Sequence, residues 1–303
     1  MRATSFLALI APLALLACGD GDAKPVADTA ADLSVCDSSD TRVLIFNTLG
    51  FVHREGLVSE GFDLDARVSD TSDAQGCYQP DLTAPDGTPG IDNALSGLLP
   101  ALEATEARVL ETLLQEFVNR GDILLAIELE DVDSVENDGC VNVNILAATG
   151  PVMLGTDGSI EPGQTFDRDP AVPVIRAEHA TITDGVLRIR DTDFRLVVQV
   201  AGADVDLTME HAEFAVRLAP DGTASGVLAG GVSVSRLEAL IDTLATDVAE
   251  LAKQLIRTVA DLEPTPEGGC AAISTVFHFT ATPAFFYADA PVDDTAAADT
   301  GAP

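Results

Sequence analysis

Apolar and charged residues alternate one by one along much of this chain, and that period of two limits its fold more than any other feature. Phe62, Leu64, Ala66 and Val68 are separated by Asp63, Asp65 and Arg67. Successive side chains of an extended strand point to opposite faces, so the pattern gives one buried face and one wet face. The same alternation runs through Leu125, Ile127 and Leu129, then Val141, Val143 and Ile145, then Phe194, Leu196, Val198 and Val200. It continues at Val205, Leu207 and Met209 and at Phe214, Val216 and Leu218. The short gaps between these runs predict an antiparallel meander. Asp184-Gly185 and Asp221-Gly222 are its hairpin turns, because glycine accepts positive φ without steric cost.

Two segments change period. Leu237, Ile241, Leu244, Val248, Leu251, Leu255 and Val259 recur at three- or four-residue steps, which predicts an amphipathic helix over 235–262. Ser235 and Glu238 have capping-box spacing at its start. A second helical stretch is predicted over 91–119, split at Pro100, with Leu110, Leu113, Leu114, Phe117 and Val118 inward and Gly121 ending it. The expected fold class is therefore α+β: a curved antiparallel β-meander with two long amphipathic helical segments packed on it.

With 47% hydrophobic residues among 303, the chain has enough apolar surface for a core. It carries 16 Lys and Arg against 50 Asp and Glu, a formal charge of −34. That balance excludes nucleic acid as a partner, since phosphate binding needs clustered basic residues.

Arg2, an apolar stretch from Phe6 to Leu16, and Ala17 before Cys18 have the layout of an export signal. The apolar run is about half the ~20 residues of a spanning helix, so cleavage or anchoring is expected. Leu15-Leu16-Ala17-Cys18 resembles the lipobox of bacterial lipoproteins. The resemblance implies cleavage before Cys18, acylation of that residue (palmitate among the chains) and attachment to a membrane. Gly19 stands where an inner-membrane retention signal has Asp, so the resemblance further implies an outer-membrane, cell-envelope location. An ordinary secretory signal, with Cys18 in a disulfide, is the alternative.

The organisation read from composition is a signal peptide over 1–17, an acylated terminus and flexible tether over 18–35, one α+β domain over 36–287, and a disordered acidic, Ala-rich tail over 288–303. Cys36, Cys77, Cys140 and Cys270 remain, and an even count in an exported protein predicts two disulfides, with three pairings open.

The stretch from Asp81 to Asn93 is dense in Asp, Pro and Gly. Asp81, Asp86, Asp92 and Asn93 are candidate calcium ligands, since calcium takes six to eight oxygens and Gly turns let nearby residues converge. Asp63 and Asp65, on an adjacent candidate strand, extend the set. The spacing is not that of an EF-hand, and the commoner use of such residues is a turn leading into a helix, with Asp92 or Asn93 near its start. Together with Gly61 to Asp65 and Cys77, the stretch resembles segments of uncharacterised lipoproteins of high-GC Gram-negative bacteria such as myxobacteria. That resemblance covers about residues 60–100 and implies no activity.

His53, His179, His211 and His278 are dispersed and form no metal-binding motif. Gly231 to Ser235 lacks the last glycine of a nucleophile elbow, and no phosphate-binding glycine loop occurs. The sequence thus predicts a membrane-anchored lipoprotein with a non-catalytic binding or structural role, with an apolar ligand held beneath the sheet or calcium held by exposed Asp loops, and an envelope protein or small ligand as partner. One alternative is a hydrolase assembled from dispersed Asp and His residues; another is an envelope-complex component whose partner covers a sheet edge.

Overall fold

A computed structural model describes residues 36, 38–103, 110–195, 197–200, 203–206, 208–244 and 249–288, all within one compact unit, Leu33–Pro303. Cys18, the tether and nearly all of the tail lie outside the described residues, as do Leu196, Leu207 and Val248.

The strands are, in chain order, β1 (Arg42–Phe51), β2 (Leu82–Thr83), β3 (Pro89–Ile91), β4 (Leu125–Glu130), β5 (Asp138–Thr149), β6 (Gln164–Arg168) and β7 (Ile175–Thr183). They continue with β8 (Val186–Phe194), β9 (Val197–Val200), β10 (Ala203–Asp206), β11 (Met209–Leu218), β12 (Ala224–Ser233), β13 (Leu262–Pro264) and β14 (Cys270–Phe286). Among the described residues the helices are short: α1 (Leu99–Glu103), α2 (Leu110–Arg120), α3 (Val234–Leu244) and α4 (Ala249–Val259).

Eight strands close on themselves in the order β1-β4-β5-β7-β8-β11-β12-β14 and back to β1, every pair antiparallel. Strand accounts for 45% of the structure and helix for 16%. The expected α+β class, an open curved meander carrying two long helical segments, is therefore incorrect, and the fold is a closed β-barrel. Local periodicity reveals strands, whereas closure depends on β1 meeting β14 far along the chain.

Other expectations change in detail. The 235–262 helix is two shorter ones, and 262 already belongs to β13. Its capping box does not form, because Ser235 Oγ shares a hydrogen bond with Ser233 Oγ and Glu238 pairs with Arg257 of α4. The 91–119 stretch is a 3₁₀ turn (Ala94–Gly97) followed by α1 and α2. Pro100 sits in the first turn of α1, where a missing N–H costs nothing. Residues 62–68 are not a strand: Ala66 has φ 57° and only an isolated bridge joins Phe62 to Asp92. Both predicted hairpin turns occur, with Gly185 at φ 74° and Gly222 at φ 87°.

Alternate residues of the ring fill its lumen. Phe46, Ile127, Ile145, Leu187, Phe214, Leu228 and Phe279 are all at most 2% exposed. Phe46 stacks on Phe279 at 4.2 Å, and Phe194 meets Phe214 edge-on at 5.6 Å. Gly226 is required here, because a Cβ would stand 2.6 Å from the Phe279 ring. An eight-stranded barrel is just wide enough for side chains to fill it, so the lumen is a core. The space beneath the sheet, where the apolar ligand was expected, is filled by these side chains.

Outward faces of β7, β8 and β11 present Arg176, Glu178, Arg188, Arg190 and Arg217. That is the reverse of a membrane-spanning barrel, which carries an apolar band outside. On the β12–β14 side the outer wall carries Val227, Ala229 and Val276 beside polar Ser225, His278 and Thr280, and residues 52–98 form a cap that covers the apolar part. Val52, Ala229 and Val276 form a second small core there with Phe62 and Leu64.

Candidate metal centre

Several connections fix the cap. The Cys77–Cys270 disulfide joins it to the start of β14, the Val52 N–H donates to Val276 O at 2.9 Å, and the Ala94 N–H donates to Ser274 Oγ at 2.7 Å. Inside it, Asn93 Nδ2 donates to Val52 O and to Ser59 Oγ, binding the two ends of the cap together.

Carboxylate oxygens of Asp63, Asp65 and Asp92 lie within 4.8 Å of one another. Asp92 is 3% exposed and accepts the Leu64 N–H at 2.7 Å through Oδ2. Asp63 Oδ1 accepts the Arg67 N–H at 2.9 Å. Asp65 Oδ1 is buried and has no hydrogen-bond partner among the described residues. The nearby guanidinium of Arg67 is directed to Asp73, at 2.7 Å.

Burial disfavours the charged form of a carboxyl, and like charges add to the effect. Desolvation, then the neighbouring Asp261, pushes Asp92 up from 3.8 to about 9. Desolvation and Asp63 raise Asp65, and desolvation raises Asp81. Asp261, almost fully buried, is pushed up to about 7 by desolvation although Ser274 donates to it from both N–H and Oγ.

Of the four candidate ligands, the structure brings only Asp92 into this cluster. Asp81 lies close enough for its charge to raise Asp92, but Oδ2 accepts the Ser69 N–H. Asp86 is fully exposed, and its Oδ1 closes a turn by accepting the Thr88 N–H at 2.9 Å. The side chain of Asn93 is committed to Val52 and Ser59. The turn reading of 81–93 thus holds for Asp86 and Asn93, the latter preceding the 3₁₀ turn without a side-chain cap bond. Asp261 was not singled out from the sequence, and nothing around it there marks it.

The cluster fits a hard cation. Three carboxylates supply oxygens, and one buried oxygen has no other partner. Gly90, at φ 88°, lets the backbone approach so closely that a Cβ would stand 2.8 Å from Arg67 O and 3.3 Å from Asp63 Oδ2. Calcium accepts carboxylate oxygens in irregular geometry, whereas magnesium demands a near-ideal octahedron.

The four cysteines form Cys36–Cys140 and Cys77–Cys270, as two disulfides require. The histidines each meet a different partner: His53 and Glu111 at 2.9 Å, His179 and Cys140 Sγ at 3.3 Å, His211 and Asp191 at 2.7 Å, and His278 against Gly50. No protein-family model, curated protein or solved structure matches this chain.

Proposed function

We propose that this chain is a lipoprotein of the cell envelope, moored to the outer membrane through acylated Cys18, whose barrel is a non-catalytic binding or structural module with a calcium-braced cap. The observation that carries the calcium reading is the convergence of Asp63, Asp65 and Asp92 around a buried oxygen with no other partner. A bound cation would offset the desolvation and repulsion that raise Asp65 and Asp92, and would hold the 61–68 and 89–93 arms of the cap together. The lipobox supports the anchor, and two disulfides suit an oxidising compartment. With an acidic surface, the folded body is repelled by anionic headgroups, so the acyl chains do the mooring.

The test is thermal melting of the mature protein in calcium, in magnesium and in chelator. A ligand present at 100 times its Kd adds about 2.7 kcal/mol. At roughly 2–4 °C per kcal/mol for a domain of this size, the melting temperature rises about 5–11 °C in calcium. Asp65→Asn abolishes that rise. An unchanged melting temperature, or the same rise in Asp65→Asn, overturns the reading.

A further inference from the structure

The two disulfides have different surroundings. His179 places Nδ1 at 3.3 Å from Sγ of Cys140, whereas among the described residues neither Cys77 nor Cys270 has a histidine contact. The contact is built by a bulge. Val141 pairs with Ala180 and Val143 with Ala177, so β7 carries one extra residue against β5, and His179 takes φ 57° there. Bulges re-aim side chains, and this one directs the imidazole to the sulfur while the His179 N–H donates to Asn142 Oδ1 at 3.3 Å. Burial is lopsided as well. Cys140 is 3% exposed, Cys36 is half-buried and His179 is exposed.

We infer that Cys36–Cys140 is a redox-active disulfide, opened by a dithiol protein of the thiol oxidoreductase class, with His179 assisting departure of the Cys140 sulfur. Exchange proceeds by attack of a thiolate on one sulfur and departure of the other, and a better-stabilised leaving thiolate departs faster. The incoming thiolate attacks the accessible Cys36 Sγ and forms a mixed disulfide with it. The electron pair of the broken S–S bond passes to Cys140 Sγ, which takes the proton from protonated Nδ1 of His179. The partner's second thiolate then attacks its own mixed-disulfide sulfur and releases Cys36, which takes a proton from water. The net result is two thiols on this chain and a disulfide on the partner. The segment before β1 then keeps the Ser38 Oγ bond to Val132 O and the Val132 N–H bond to Asp40 O.

The experiment treats the full mature protein with dithiothreitol, quenches with an alkylating agent at intervals and maps the peptides by mass. A parallel reaction with glutathione locates the mixed disulfide. Cys36–Cys140 opens at least about tenfold faster than Cys77–Cys270, and glutathione is found on Cys36. His179→Gln slows opening of the first bond about fivefold or more and leaves the second unchanged. Equal rates for the two bonds, glutathione on Cys140, or an unaffected rate in His179→Gln overturns the proposal. Should that variant not fold, the wild-type rate ratio and the adduct position decide alone.

Discussion

Replacing Asp92 with Asn removes a titrating group from the cap and keeps its shape. Asp92 binds its proton more tightly in the folded protein, at about 9, than in the unfolded chain, at the ordinary 3.8. Its stabilising contribution is therefore fully present below about pH 4 and is lost steadily as pH rises towards 9. Each unit is worth about 1.4 kcal/mol, so between pH 4 and 7 the wild type loses about 4 kcal/mol that Asp92→Asn does not lose. Asp70, Asp73, Asp86 and Asp221 act oppositely, since hydrogen bonds hold each below its usual range. The difference between wild type and variant isolates Asp92 from them. Urea unfolding in chelator at half-unit steps from pH 4 to 8 measures it. The variant gains on the wild type throughout, by about 4 kcal/mol at pH 7. Adding calcium removes most of that gain, because the metal takes the deprotonated carboxylate in place of the proton. A difference that stays within about 1 kcal/mol across the range refutes the placement of Asp92 among buried like charges.

Phe279→Ala empties the middle of the lumen opposite Phe46 and costs about 3–5 kcal/mol, read as a drop in the urea midpoint with unchanged slope. Gly226→Val forces a side chain into the Phe279 ring and the Ala215 carbonyl, and its destabilisation is measured in the same assay. Removing the cap disulfide with Cys77→Ser and Cys270→Ser lowers stability by about 2–5 kcal/mol and makes residues 52–98 the first region to exchange amide hydrogens. Metabolic labelling with palmitate marks the wild-type product and not Cys18→Ser, and equal labelling of the two rejects the anchor.

Strands in which polar or small residues alternate with large apolar ones were legible in the sequence, even where, as in β4, both faces are buried. β4, β5 and β11 match the alternation at Leu125, Val141 and Phe214, and glycine marked both hairpins. The strands that seal the barrel were not legible, because their buried runs do not alternate in residue type. In β1 the run Leu44–Ile45–Phe46 is buried throughout, and in β14 so is Ala272 to Val276, so no alternation survives. Residues 62–68 misled in the opposite way. Their alternation is real, but Asp63 and Asp65 turn towards Asp92 while Phe62 and Leu64 pack on the small core, and none lies along a ladder. The candidate centre was half legible, since the Asp-rich composition pointed to the right loops. Which aspartates meet depends on Gly90 and the left-handed turn at Ala66, and no local spacing encodes that.

The seam between β1 and β14 joins the first and last of the described strands, with Val43 beside Ala284 and Phe51 beside Phe277. The ring cannot seal until β14 has been made, so it stays open while all seven other strands of the ring are synthesised. Such long-range pairing also makes folding slow. For a chain exported as proposed above, both delays would postpone locking until it had been threaded through a translocation pore.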